Sequence, residues 1–213
     1  MIKLIPLIVI LFFNACSFKT AQNMWQKKST NAFNSYTKNF LSDNNMAKND
    51  LQRAIKHAKQ SANLTQLARV YLGKCALNIS VGIEDNCKEY LNIADVVQNN
   101  RLDAYYNFIT KSLKDTQIKF LPHYYQEYSK NIEKKKFRNA NKNIITMPRI
   151  TSTLLSGVLI KENLEDSSRE KIIQLASFYG YKKAVLFWLN EEKKYTKDSK
   201  KIEYLNKKIS ILK

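Results

Sequence analysis

Residues 50–77 read DLQRAIKHAKQSANLTQLARVYLGKCAL. Leu51, Ala54, Ile55, Ala58 and Ala62 recur at helical spacing and put a stripe of small apolar side chains on one face. Leu64, Leu67, Ala68, Tyr71, Leu72 and Cys75 do the same on the next segment. Asn63 stands between them, suited to capping the end of one helix or the start of the next. The spacing predicts two amphipathic helices joined by a short turn, each needing a neighbour to cover its stripe.

The same pattern extends outward. Trp25, Phe33, Tyr36 and Phe40 form an aromatic stripe, and LSDNN at 41–45 breaks it. Downstream, Cys87, Tyr90, Leu91, Ala94 and Val97 make another stripe. Leu102, Tyr105, Tyr106, Ile109 and Leu113 follow the Asn99-Asn100 punctuation. Pro122 sits where a helix carrying Tyr124, Tyr125 and Tyr128 begins. Ile150 to Ile160 favours a helix, although β-branched Ile144, Ile145, Ile150 and Thr151 leave a short strand open. Asp166-Ser167-Ser168 caps a helix holding Ile172, Ile173, Ala176 and Tyr179; Gly180 turns it, and Ala184, Val185, Trp188 and Leu189 return. With 44% hydrophobic residues the chain can bury a core, and with only four Gly and three Pro it cannot supply the many tight turns of an all-β fold. The expected fold is all-α: helical hairpins stacked as an irregular bundle or a short repeat-like solenoid.

The small-residue helix at Ala54, Ala58 and Ala62, followed by Tyr71-Leu72-Gly73, resembles tetratricopeptide-type packing. The segment IIQLASFYGYKKAVLFWLNEEKK at 172–194 is similar in flavour to ankyrin or Sel1-type repeats. Asn63 stands where the tetratricopeptide pattern has proline, and no fixed period links the two segments; a generic bundle with alanine-rich contacts is the alternative. The resemblance implies partner binding on a concave face rather than catalysis.

The N-terminus reads MIKLIPLIVILFFNAC. One charge at Lys3, a ten-residue apolar run from Leu4 to Phe13 and a small residue before Cys16 have the layout of a secretory signal. The run is too short for a membrane span, which needs about 20 residues. With Cys16 after Ala15, the segment resembles a bacterial lipoprotein signal, with Phe13 where that pattern has an aliphatic residue. The resemblance implies cleavage after residue 15, lipidation of Cys16 and a location in the bacterial cell envelope, anchored to a membrane and facing the periplasm. Ser17, rather than Asp, is similar to what directs such proteins to the outer membrane. The alternative is an ordinary cleaved signal with Cys16 as an incidental thiol. The expected organisation is a signal peptide at 1–15, a tether at 16–23, a helical domain at 24–195 with a possible sub-boundary near 130–148, and a basic helix at 196–213. The extended tether reaches at most roughly 29 Å.

Setting Cys16 aside leaves Cys75 and Cys87. An exported compartment permits disulfides. The midpoint of the two positions falls beside Gly82, so an antiparallel hairpin turning there would face them across its apolar stripes. A disulfide is expected, with two packed reduced thiols as the alternative. Two cysteines with the distant His57 and His123 do not supply four zinc ligands.

Nothing in the chain reads as catalytic, and neither enzyme nor cofactor is expected. His57 and His123 are the only histidines, and no GxSxG, GxxxxGK[ST], GxGxxG or HExxH pattern occurs. The acidic pairs Glu84-Asp85, Glu165-Asp166 and Glu191-Glu192 fall where helix ends or exposed faces are expected.

The formal net charge is +18. Thirty lysines stand beside six arginines, 22 Asn and 20 Ile, the joint excess that an AT-rich coding sequence produces, so part of the basicity need carry no function. Lys130, Lys134, Lys135, Lys136, Arg138 and Lys142 form one cluster, opposed within 130–142 by Glu133 alone. A second cluster spans 193–213. Such patches attract polyanions, here lipid headgroups or acidic wall polymer; the export signal weighs against nucleic acid. The partners expected are the membrane, through the lipid anchor, another envelope protein docking on the helical domain, or anionic lipid or wall polymer. Paired tyrosines such as Tyr105-Tyr106 and Tyr124-Tyr125 are expected mainly in the core, with a groove lining as the alternative.

Overall fold

A computed structural model describes residues 23–213; the expectations for 1–15, and nearly all of the tether, lie outside them. The described residues are all-α. Their helices are α1 (Met24–Leu41), α2 (Ala47–Ala58), α3 (Thr65–Ser80), α4 (Lys88–Val97), α5 (Asn100–Ile109), α6 (Asp115–Ile118), α7 (His123–Glu133), α8 (Phe137–Ile145), α9 (Ile150–Leu159), α10 (Asp166–Phe178), α11 (Lys182–Tyr195) and α12 (Ser199–Leu212). A 3-10 turn, Lys161–Asn163, joins α9 to α10. None of these helices is long and apolar enough to cross a membrane.

Small residues bring the first three helices together. Ala32, Ala54, Ala58, Leu67 and Val70 form a compact cluster where α1, α2 and α3 meet. Ser29 Oγ donates to the Ala54 carbonyl at 3.0 Å, a bond that a bulkier neighbour would keep out of reach. α2 stops at Ala58, and Ala62, expected on its apolar face, is exposed beyond the helix end. Asn63 Oδ1 instead accepts the Thr65 N–H at 2.9 Å and starts α3.

α3 is the central element, packing against α1, α2, α4, α5 and α9. At Gly73 a Cβ would lie 2.3 Å from Phe33 Cζ, so any side chain there would displace that ring. The main core continues through Leu72, Phe108, Tyr128, Ile144 and Trp188, so α7, α8 and α9 belong to it as much as α3 does. The Ile150–Ile160 stretch is helical, and its run of buried residues from Ser152 to Gly157 is all but surrounded by protein.

α11 closes the structure onto α1. Lys183 Nζ lies 3.1 Å from Asp43 Oδ1 and 4.3 Å above the Phe40 ring. α12 is held by Leu205 and Ile209 and by ion pairs from Lys201. Glu191 and Glu192, expected on an exposed face, are buried, at 2% and 3% exposure. Glu191 pairs with Lys194, and Glu192 lies between Arg169 and Lys201. For Glu192 cations on two other helices, α10 and α12, compensate the desolvation; for Glu191 the cation comes from α11 itself.

Cys75 and Cys87 form a disulfide, Cα–Cα 5.3 Å. The geometry differs from the expected facing stripes. Cys87 precedes α4, in a left-handed conformation at φ 55°, and Leu91 on α4 is exposed. Asp85 shapes the turn, accepting from Asn78 Nδ2 at 2.7 Å and from the Cys87 N–H at 2.8 Å.

Candidate functional site

A groove of about 1400 Å³ lies between α1 and α3 on one side and α5, α7 and α9 on the other. Phe33 and Gly73 form part of one wall. The missing Cβ at Gly73 therefore lets the Phe33 ring settle against α3 beside the groove. Tyr105, Tyr124 and Tyr125 form the opposite wall. Tyr125 is buried, its ring centroid 4.5 Å from Phe108 and 4.6 Å from Tyr124. These tyrosines are thus core on one side and groove on the other, whereas Tyr106 does not line the groove and packs on Tyr90 at 5.6 Å. Burial pushes the Tyr105 and Tyr125 phenols well above the ordinary tyrosine range, so both remain neutral hydrogen-bonding groups.

Arg69, Arg101, Lys119 and Arg149 line the same groove. Among the described residues none of the four joins an ion pair, and no Asp or Glu lines the groove. Lys119 Nζ sits 5.1 Å from the Phe120 ring centroid. The first turns of α5, α7 and α9 also contribute to the lining. Asn99 caps α5 by accepting the Arg101 and Leu102 N–H groups, whereas α7 and α9 have no side-chain cap. Their free N–H groups and positive dipole ends add to the field of the four cations.

The sequence-expected cations sit elsewhere. Lys130, Lys134, Lys135, Lys136, Arg138 and Lys142 are all exposed, at the end of α7 away from the groove, in the following turn and along α8. None joins an ion pair among the described residues. Asp115 lies close enough to Glu133 to raise its carboxyl pKa, so acid is present at the edge of that patch. The groove cations were missed because they are scattered over 80 positions of the chain and form no run. Composition did carry a signal: three of only six arginines meet in this groove, and the coding bias that enriches lysine does not enrich arginine.

His57 Nδ1 lies 3.2 Å from Gln60 Oε1, and His123 opens α7 at the surface. One trio of potential ligands, Cys75, Asp85 and Cys87, falls within 4.8 Å among the described residues. The two sulfurs are bonded to each other and the Asp85 carboxylate already accepts two hydrogen bonds, so the trio does not fit a metal ion. Among known proteins, no family model, no curated protein and no solved structure matches the chain.

Proposed function

We propose that the chain is a cell-envelope lipoprotein, anchored to a membrane through Cys16, whose helical domain binds another envelope protein as an accessory or scaffold subunit. The groove supports this reading best. It is open, larger than the roughly 300–1,000 Å³ usual for small-molecule pockets, and mixes aromatic rings, carboxamides and unpaired cations. That mixture suits a polypeptide, which presents apolar, amide and charged groups along one chain. It offers no nucleophile beside a base and no clustered acids. The motif ending in Cys16 supports envelope location, with the outer membrane favoured.

The exposed cations from Lys130 to Lys142 support a second reading, a cationic module for anionic lipid or wall polymer, because an exposed, unpaired basic patch needs only a polyanion. Cross-linking in intact cells, followed by affinity capture in high salt, separates the two. One dominant envelope protein retained in salt is the expected result. Recovery of lipid or polymer alone, released by salt, would overturn the scaffold reading. Cys16→Ala is expected to move the protein out of the membrane fraction; unchanged membrane retention would remove the lipid anchor from the proposal.

A further inference from the structure

We infer that the groove receives an acidic segment of the partner polypeptide, with carboxylates held by Arg69, Arg101 and Arg149 and apolar side chains laid against Phe33, Phe120 and Tyr124. The inference rests on the protein-binding reading above and adds the chemistry of the partner.

Charge complementarity is the first ground. Four cations and no anion line one concavity, among described residues in which acids elsewhere pair readily with their neighbours, as at Arg53–Asp50 and Lys74–Glu89. An unpaired basic groove between low-dielectric walls concentrates a field that an acidic ligand neutralises. The residue type is the second ground. Three of the four cations are arginines, in a chain that uses lysine five times as often. A guanidinium presents a planar fork that holds a carboxylate by two parallel bonds, which an ammonium cannot do.

The lining chemistry separates a peptide from a headgroup. A phosphate-rich polymer or membrane surface is met by cations alone, and the Lys130–Lys142 patch already offers that. This groove adds Asn34, Asn100 and Gln126 to its cations and rings. Carboxamides both donate and accept, matching the N–H and C=O groups of a backbone. Asn34 is exposed at the rim, while Gln126 Nε2 donates to the Leu121 carbonyl at 2.9 Å and its own oxygen accepts no hydrogen bond among the described residues. The rings give apolar contact that salt does not screen, so a complex steered by charge survives the salt that strips headgroups from a surface patch.

The test places a photo-reactive phenylalanine analogue at Tyr124 in the full-length chain, and separately at Asn34, whose exposed position tolerates the change. Analogues at Lys135 and Phe178 serve as reference sites. After irradiation of intact cells, the cross-linked peptides are sequenced by mass spectrometry. The expected outcome is adducts from the groove sites that fall within one Asp/Glu-rich segment of a protein. Arg69→Glu with Arg149→Glu should reduce their yield by about tenfold or more, the loss of one or two charge-assisted hydrogen bonds. Arg69→Lys with Arg149→Lys should retain more of the yield than the charge reversal. Circular dichroism melts confirm that the exposed replacements leave the fold intact. Groove adducts to lipid or polymer would overturn the inference, as would a partner segment without acidic excess or a yield indifferent to charge reversal. Protein adducts found only from Lys135 or Phe178 would overturn it too, while leaving the scaffold reading standing. Protein adducts absent from every site would remove both.

Discussion

Arg169 Nη1 lies 3.1 Å from Glu192 Oε2, and the two side chains are only 2% and 4% exposed. The pair joins α10 to α11. Arg169 also donates to Asp166 Oδ1 at 2.7 Å and to the Leu164 carbonyl at 2.9 Å, and its guanidinium lies 4.5 Å from the centre of the Tyr195 ring. Glu192 reaches Lys201 of α12 at 2.5 Å and holds its ammonium pKa above the ordinary lysine value. Glu192→Ala leaves the buried Arg169 with only the solvent-exposed Asp166 as an anionic partner and should cost about 3 kcal/mol. Arg169→Met with Glu192→Leu removes both charges and should cost less than Glu192→Ala alone. Urea denaturation of the three proteins checks this; a double variant less stable than Glu192→Ala would show that the pair contributes favourably rather than merely balancing its burial.

The disulfide makes a separate prediction. Cys75 and Cys87 are 12 positions apart and join α3 to the start of α4, alongside the Lys74–Glu89 pair. Closing a loop of that size contributes about 3 kcal/mol. Reduction, or Cys87→Ser with Cys75→Ser, should lower Tm while leaving most helical signal, since the core on the far side of α3 does not depend on the bridge. An unchanged Tm on reduction would rule out the predicted contribution.

The helices were legible because each carries its apolar stripe locally. Leu67, Leu72 and Cys75 announce α3 from spacing alone, and Ala184, Val185, Trp188 and Leu189 announce α11. What spacing omits is compensation from elsewhere in the chain. Glu192 looks like a solvent-facing residue until Arg169 and Lys201 are brought beside it. The groove was illegible for the same reason: Arg69, Arg101 and Arg149 meet through the packing of α3, α5 and α9, not through any run of sequence. Cys87 was legible only in part: its pairing is expected from cysteine number, whereas its left-handed φ depends on the Asp85 turn.

Alkali should unfold the protein through its tyrosines. Burial, with the nearby Asp85 and Glu89 charges, raises the Tyr36 pKa from 10.0 to about 12. Burial also pushes Tyr90, Tyr105, Tyr125 and Tyr128 upward. The folded state therefore holds phenol protons that the unfolded chain releases near pH 10. The associated stability is complete below that pH and is lost as pH rises toward the folded values. Thermal melts across this range, read together with phenolate absorbance, should show the buried phenols ionising only as the fold is lost. Ionisation of all tyrosines near pH 10 with the helical signal intact would contradict their burial.

Two glycines should respond oppositely in their optical signature. Gly157 lies within α9, where alanine is intrinsically better than glycine by about 1 kcal/mol. A Cβ there would come 2.7 Å from Ile172 Cδ1 and 2.9 Å from Trp188 Cη2, both fully buried and unable to retreat into solvent. Overpacking costs about 1–3 kcal/mol, so crowding outweighs propensity and Gly157→Ala should destabilise. The Trp188 emission should shift with it, because the indole has to move. Gly180 poses the reverse problem: open space around its Cβ position but φ +65°. Gly180→Ala should cost about 1–2 kcal/mol in backbone strain alone and leave Trp188 emission unchanged. Gly180→Asn should recover part of that loss, since Asn tolerates the left-handed region better. Fluorescence and denaturation measured on the same samples decide the matter. A Gly157→Ala protein as stable as the parent, with unaltered emission, would mean that α9 and Trp188 are not in the contact described.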